Sequence, residues 1–190
     1  SLKNEYNFLA TKYTLKSINP SIWKFMRTRP DNFPTVRISQ LANILKNFKL
    51  LLAMITNSKA DKSNIYKLLN TEASEYWLSH SVFDKISDKK RSSRKLGNSA
   101  TDSLVINAII PFIFLYGKFH NNEDFIENAI DILQSIEAED NKIIRTWKSL
   151  NINAENALES QALIELYNSY CSNKLCLNCS IGASIMLDIN

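Results

Sequence analysis

The chain has few of the residues that punctuate β-rich folds and few of those that build metal centres. Its 190 residues include three glycines, four prolines, three cysteines and two histidines. Sandwiches and barrels need many turn residues, so the shortage of glycine and proline favours helices. The chain also lacks a Gly-x-Ser-x-Gly sequence, a phosphate loop and a His-Glu-x-x-His sequence. The sequence therefore predicts a helical protein and offers no independent support for an enzyme.

Charge is distributed unevenly along the chain. Residues 1–50 carry a net charge of +7 and residues 51–100 a net charge of +4, whereas residues 101–190 carry −7. A basic amino-terminal half is typical of a surface that binds nucleic acid or another polyanion. The alternative is that the two halves pack against each other or solvate their own surfaces. No run of lysine and arginine is dense enough to decide between these interpretations.

Apolar residues recur at helical spacing through most of the chain. The clearest stripe predicts one helix from about Thr35 to about Thr56. The segment Leu104 to Tyr116 is apolar on nearly every side, which is typical of a buried helix at the centre of a bundle, and Pro111 is expected to kink it. We predict an all-α fold, an irregular multi-helix bundle around this buried, proline-kinked helix, with residues 1–190 forming a single domain.

The cysteines lie together near the carboxyl end, with the spacing Cys-x4-Cys-x2-Cys. They are Cys171, Cys176 and Cys179. Thiolates in a Cys-x2-Cys turn can grip one zinc ion, for which His80 is a candidate further ligand. An iron–sulfur cluster needs a fourth cysteine, which the chain lacks. The alternatives are reduced cysteines that pack a turn against the bundle, or a disulfide. Zinc or an iron–sulfur cluster is therefore one hypothesis, and no cofactor is the expectation for this fragment.

A second candidate site is the segment from Ile22 to Pro34, which precedes the clearest helix and which we call the connector. Pro30 and Pro34 restrict its backbone. Guanidinium groups held in such a connector can converge on a phosphate or a carboxylate, and Trp23 or Phe33 offers a face for a base. The candidate phosphate ligands are Arg27, Arg29, Asn32, Arg37, Arg94 and Lys95. The last two come from a polar segment, residues 85–98, predicted to be an exposed loop. In the alternative interpretation the arginines bind carbonyls at helix carboxyl ends, or acids such as Glu139 and Asp140.

Several strings, taken together, resemble a bacterial family known as domain of unknown function 2851. The strings are Arg27-x-Arg29-Pro30-x-Asn32-Phe33-Pro34-x-x-Arg37, Tyr76-Trp77-x-x-His80, the segment Asn107 to Gly117, Ala138-Glu139-x-Asn141, Asn156-Ala157-x-x-Ser160-Gln161-Ala162-Leu163, and Tyr170-Cys171 through Cys176-x-x-Cys179-x-Ile181-Gly182. They span most of the chain. The combination indicates the family and not an activity, because the family has no assigned function.

The resemblance implies that the chain is the carboxy-terminal, helical part of a longer protein. The implied amino-terminal region carries acidic and histidine-rich β-strand motifs similar to restriction-endonuclease-like folds. We accordingly expect a non-catalytic accessory domain that binds nucleic acid or a partner protein through its basic amino-terminal half. The alternative is a purely structural scaffold for that amino-terminal, nuclease-like domain. Without a signal segment, and with an apolar run too short to cross a bilayer, we expect a cytoplasmic protein that does not bind membranes.

Overall fold

The computed structural model describes residues 2–88 and 91–187. Its α-helices are α1 (Leu2–Tyr13), α2 (Pro34–Lys46), α3 (Phe48–Ile55), α4 (Lys62–Leu69), α5 (Tyr76–Ser79), α6 (Asn98–Leu104), α7 (Ile110–Phe119), α8 (Glu123–Gln134), α9 (Lys142–Ser149), α10 (Ala157–Leu166) and α11 (Ser180–Leu187). A two-stranded antiparallel hairpin joins β1 (His80–Val82) to β2 (Lys85–Ile86). The predicted all-α, multi-helix class is confirmed, and the hairpin is an element that the sequence pattern did not predict.

The chain forms two compact units, each built from two stretches of sequence. Unit 1 comprises Ser1–Asn43 and Glu72–Lys95, and unit 2 comprises Ile44–Thr71 and Leu96–Asn190. The division separates the charge, because unit 1 contains thirteen Lys and Arg against six Asp and Glu, whereas unit 2 contains ten against thirteen. Unit 1 therefore has a net charge of +7 and unit 2 of −3. The single domain over residues 1–190 stays a prediction.

Unit 1 has a small core in which α2 meets the segment around α5. Val36, Ala73 and Trp77 are buried, and Phe33 packs against them. The edge of the Phe25 ring meets the Phe33 ring with centroids 5.2 Å apart, which extends this core into the connector before α2. Because this core contains few buried apolar residues, the hydrophobic effect contributes little to the stability of unit 1. Polar contacts therefore have a large share in holding unit 1 together.

Unit 2 has the larger core, to which α3, α4 and α8 each contribute a buried face. Its central feature is one continuous helix, Asn98–Phe119, in which Val105–Ile109 forms a π-helical turn directly before Pro111. Such a turn accommodates the missing proline N–H. Burial is confirmed for one face only: Ile113 is fully buried, whereas Leu115 and Phe119 are exposed.

This continuous helix is longer than the apolar run in the sequence. It has 22 residues, a mean hydropathy of 1.5 in its most apolar window and one third of that window buried. By length and composition it could cross a bilayer, and a core helix of a soluble protein passes the same test. The length argument against a membrane span is therefore wrong, and the compartment stays a prediction.

Two helix boundaries fall at an asparagine, and the side chain caps the helix at one of them. The helix predicted from Thr35 to Thr56 ends at Lys46, where the N–H of Asn47 bonds to Ile44 O at 3.0 Å and α3 begins. The apolar stripe continues through this break, which is why periodicity did not reveal it. At the start of α9 the Asn141 Oδ1 accepts from two backbone N–H groups at 3.0 Å, so it satisfies donors that the first turn leaves unpaired.

Two further polar contacts fix elements within unit 2. The Tyr66 hydroxyl on α4 donates to Asp102 on α6 at 2.5 Å, and burial together with this carboxylate raises the pKa of Tyr66. The segment before α9 is joined to α10, because the N–H of Glu139 donates to Ser160 Oγ at 3.2 Å and Gln161 donates to the Glu139 carboxylate. These hydrogen bonds hold together two of the strings that carry the family resemblance, the one that contains Glu139 and the one that contains Ser160 and Gln161.

Candidate functional site

The polar side chains of the connector and of the first turn of α2 fall into two groups: some are hydrogen-bonded within the fold, and others face solvent. Arg37 donates from one terminal nitrogen to Gln40 Oε1 at 2.9 Å and from the other to Asn32 Oδ1 at 2.6 Å. Arg27 and Arg29 are exposed, and within the described residues neither side chain makes a hydrogen bond or an ion pair. Arg27 also has φ of 61°, a left-handed value that is uncommon outside glycine. Two of the four predicted connector ligands are thus engaged inside the fold, and two face solvent.

Arg94 is buried, with only 1% of its side chain exposed. Its Nε donates to Trp77 O at 2.8 Å, and one terminal nitrogen donates to Ser81 Oγ at 2.8 Å. The other terminal nitrogen forms a charge-assisted hydrogen bond with the Asp31 carboxylate. The prediction that this residue lies in an exposed loop is wrong, because its guanidinium satisfies acceptors from three separate segments of unit 1.

The backbone of Arg94 is held as firmly as its side chain. Its carbonyl oxygen accepts from Gln40 Nε2 at 2.9 Å, and its N–H donates to Glu72 Oε1 at 3.1 Å. A hydrogen bond from Ser93, followed by the one from the Arg94 N–H, lowers the pKa of Glu72 below its ordinary value of 4.5. The positive charge of Lys95, which is exposed, lowers this pKa further. Arg94 and Lys95 therefore differ, the first being structural and the second solvent-facing.

A cleft of about 450 Å³ is lined by residues of the β1–β2 hairpin together with Phe33, Arg91 and Arg94. We call it the hairpin cleft. Its apolar surface comes from Phe33, Val82 and Ile86. Its hydroxyl groups belong to Ser81 and Ser87, whose Oγ atoms lie 3.1 Å apart.

Four charged residues also line the hairpin cleft: Lys85, Asp88, Arg91 and the buried Arg94. Asp31 divides its carboxylate unequally between the two arginines. Arg94 binds one oxygen closely, whereas a terminal nitrogen of Arg91 lies 3.5 Å from the other, which is beyond a good hydrogen bond. The Arg91 side chain is 44% exposed, so its donors remain available. The cleft thus combines an apolar surface with an incompletely compensated cation.

His80 lies in unit 1 and packs on a tyrosine. Its ring stacks on Tyr76 with centroids 3.9 Å apart and 9° between the planes. Its Nδ1 is 2.9 Å from Tyr76 O and 3.0 Å from Ser79 Oγ. Each of these contacts positions the imidazole within its own turn of the chain.

The three cysteines lie in unit 2, between α10 and α11. Cys171 and Cys176 are exposed, Cys179 is half-buried, and all three are free thiols. A Cβ added at Gly182 would lie 2.3 Å from Cys176 O, so this turn requires glycine at that position. Across residues 2–88 and 91–187, no three His, Cys, Asp or Glu side chains are arranged to hold a metal ion. A zinc or iron–sulfur site formed by the cysteines and His80 stays a prediction.

Sequence reasoning did not identify Asp31, Ser81 or Arg91 as members of a site. One signal was present, because Asp31 is the only acidic residue between Arg27 and Arg37 and is therefore the local counterion for any arginine that must be buried. Ser81 carried no comparable signal, since its importance comes from a contact with a residue thirteen positions later in the chain.

Comparison with protein-family models identifies the family. The model described as "Protein of unknown function (DUF2851)" matches residues 1–142. The chain therefore belongs to this family, as the resemblance predicted. The matched range includes the connector, the hairpin cleft and the apolar helix, and it ends before the strings around Asn156 and the cysteines. Neither the curated proteins nor the solved structures gave a significant match.

Proposed function

We propose that the chain is a non-catalytic helical accessory domain that binds nucleic acid through unit 1. The observation that carries the proposal is the separation of charge, with +7 in unit 1 and −3 in unit 2. A field of one sign over a compact unit attracts a polyanion and releases its counterions on binding. Family membership supplies no activity, so the argument depends on the residues of unit 1.

Four cations of unit 1 are available to phosphates: Lys16, Lys24, Arg27 and Arg29. All four are exposed, and their side chains have no hydrogen bond or ion pair in the described part of unit 1. Trp23, adjacent to Lys24, is 36% exposed, so its indole ring is accessible to an unpaired base. Arginine and lysine next to accessible aromatic rings are typical of surfaces that bind single strands, where stacking supplements charge.

The proposal is tested by titrating a labelled single strand and a labelled duplex at two salt concentrations. Four phosphate contacts predict a slope of about −3 for log K against log salt on a single strand, or about fiftyfold weaker binding at 200 mM than at 50 mM salt. The variant K24Q/R27Q/R29Q should lose about 2 from this slope. The matched control is K142Q/R145Q/K148Q in α9, which removes the same charge from unit 2 and should leave the slope unchanged.

Binding that is absent at low salt, or equal losses in the two variants, would refute the proposal. The scaffold for an amino-terminal, nuclease-like domain would then be preferred. One observation favours that alternative: apolar side chains are exposed in α1 and the connector, including Phe8 at 66% and Met26 at 86%. Such residues are typical of surfaces that another protein domain covers.

A further inference from the structure

We propose that the hairpin cleft binds one nucleotide at the phosphorylated end of a single strand, with the phosphate on Arg91 and Lys85 and the base against the apolar wall. The inference builds on the proposed function, since it assigns a specific subsite within the basic unit. It stands on a separate set of residues, because the cleft contains none of the four cations that carry the general polyanion argument.

The phosphate position follows from the unequal sharing of Asp31. Arg94 is committed to Trp77 O, Ser81 Oγ and Asp31, so it fixes the carboxylate and cannot turn toward a ligand. Arg91 retains free donors, because its nearest carboxylate oxygen is 3.5 Å away. A guanidinium group whose N–H donors are free, in a partly desolvated cleft, favours a phosphate that accepts two parallel hydrogen bonds from it.

Lys85 and the hydroxyl pair extend this phosphate position. Lys85 is exposed at the start of β2, and within the described residues its ammonium group has no ion pair. Ser81 Oγ accepts from Arg94, and the contact between Ser81 and Ser87 uses one of their two hydroxyl protons. The second hydroxyl proton therefore has no acceptor among the described residues and is available to a ligand oxygen.

The net charge of the cleft fits a terminal phosphate better than a highly charged ligand. Among the described residues, Lys85, Arg91 and Arg94 supply three positive charges, and Asp88 with Asp31 supplies two negative charges. A phosphate monoester carries between one and two negative charges near neutral pH. The Asp88 carboxylate offers only hydrogen-bond acceptors and a negative charge, so it suits the amino or imino groups of a base edge and repels a second phosphate.

The apolar wall supplies the place for the base. Ile86 is 72% exposed, although it sits on a strand, and Phe33 and Val82 complete the same surface. The cleft volume of about 450 Å³ lies in the range of small-molecule sites, about 300–1,000 Å³. Burying this wall under a flat ring removes apolar area from water, which inorganic phosphate does not do.

The test compares short single-stranded oligonucleotides that carry a 5′-phosphate, a 3′-phosphate or no terminal phosphate. We expect one phosphorylated end to bind about tenfold more tightly than the unphosphorylated strand. In K85Q/R91Q this ratio should fall to about one. The matched control is K24Q/K95Q, which removes two exposed cations of unit 1 outside the cleft and should keep the ratio while weakening all three strands. Because the replaced residues are exposed, the urea midpoints should agree, which separates binding from folding.

Adenosine monophosphate and inorganic phosphate complete the experiment as competitors. Competition by the nucleotide that exceeds competition by inorganic phosphate, and that is lost in K85Q/R91Q, supports the base position. Equal competition by the two overturns the assignment to a nucleotide, and a phosphorylation ratio of one in the unmodified protein overturns the subsite. If oligonucleotides do not bind but the nucleotide still binds in the cleft, the proposed function fails and the cleft assignment survives for a free nucleotide.

Discussion

Replacing Arg94 with alanine should destabilise unit 1 more than replacing any other charged residue of the hairpin cleft. The substitution removes the donors to Trp77 O and Ser81 Oγ, both of which are bound at 2.8 Å. A buried acceptor that loses its donor costs about 1–3 kcal/mol. The substitution also removes the aliphatic part of the Arg94 side chain, which is almost fully buried.

The magnitude follows from these contacts and from the exposure of the third partner. Two unpaired acceptors contribute about 2–6 kcal/mol if water does not reach them. Asp31 is 52% exposed, so its carboxylate is rehydrated when Arg94 is removed, and the ion pair itself adds under about 1 kcal/mol. Water entering the space will recover part of the loss. We expect a decrease in the free energy of unfolding of about 3 kcal/mol.

Arg91→Ala is the matched control, because it removes an arginine that pairs with the same carboxylate. Its side chain is 44% exposed and lies 3.5 Å from Asp31. Exposed pairs of this kind contribute under about 0.5 kcal/mol after solvent screening. Arg94→Lys is a useful intermediate, since it keeps the charge but loses the planar fork and should cost about 2 kcal/mol.

The assay is urea denaturation followed by far-ultraviolet circular dichroism, with amide hydrogen exchange to locate the change. In Arg94→Ala, protection should fall in peptides from Glu72–Lys95, whereas α8 of unit 2 serves as the internal reference. A loss below about 1 kcal/mol, or a loss no larger than that of Arg91→Ala, would show that the buried guanidinium does not hold unit 1 together.

Two further predictions concern pH and packing. Because the pKa of Glu72 is lowered from 4.5, the unfolded state binds more protons below that pH, and its contribution to stability is present above pH 4.5 and lost as the pH falls through the folded-state pKa. Glu72→Gln should therefore show a shallower acid loss in thermal melts, and an identical profile would contradict the cause assigned to the shift. Gly117→Ala should cost about 1–2 kcal/mol despite the better helix propensity of alanine, because its Cβ would lie 2.7 Å from Phe125 Cβ. Gly97→Ala, where nothing lies within 4 Å of the added Cβ, is the control. Gly97 is the N-cap of α6, where alanine is less favourable, and this loss offsets the entropy gain, so the change in the same urea assay should stay under about 0.5 kcal/mol.

The sequence predicted the elements whose information is local. In α8 the apolar residues recur at helical spacing, and Phe125, Ala129 and Ile132 form its buried face, so the local pattern alone predicts the helix. The break at Asn47 was missed for the opposite reason, since the apolar stripe runs through it unchanged. The hairpin was missed because two short strands contain too few residues for a period-two pattern to stand out.

The candidate site was predicted less well, because it depends on contacts between residues that are distant in the chain. The alternative that arginines bind acids inside the fold describes Arg94, but its acid is Asp31 and not Glu139 or Asp140. The local sequence pattern does not show which of five arginines is buried: Arg27, Arg29, Arg37, Arg91 or Arg94. Arg94 and Asp31 are 63 positions apart, and no neighbour distinguishes Arg94 from the surrounding polar residues.

The arginines of unit 1 divide into those that are hydrogen-bonded within the fold and those that can bind a ligand. A guanidinium group that has spent its donors on buried acceptors, like that of Arg94, cannot also bind a ligand without unfolding its surroundings. Arg37 is half-buried, and its two terminal nitrogens donate to the side chains of Gln40 and Asn32. Arg27, Arg29 and Arg91 keep their donors, although the sequence presents all five residues alike. The binding proposals therefore rest on Arg27, Arg29 and Arg91. The hydrogen bonds of Arg37 and of the buried Arg94 explain how a unit with so small an apolar core can hold these three residues in place.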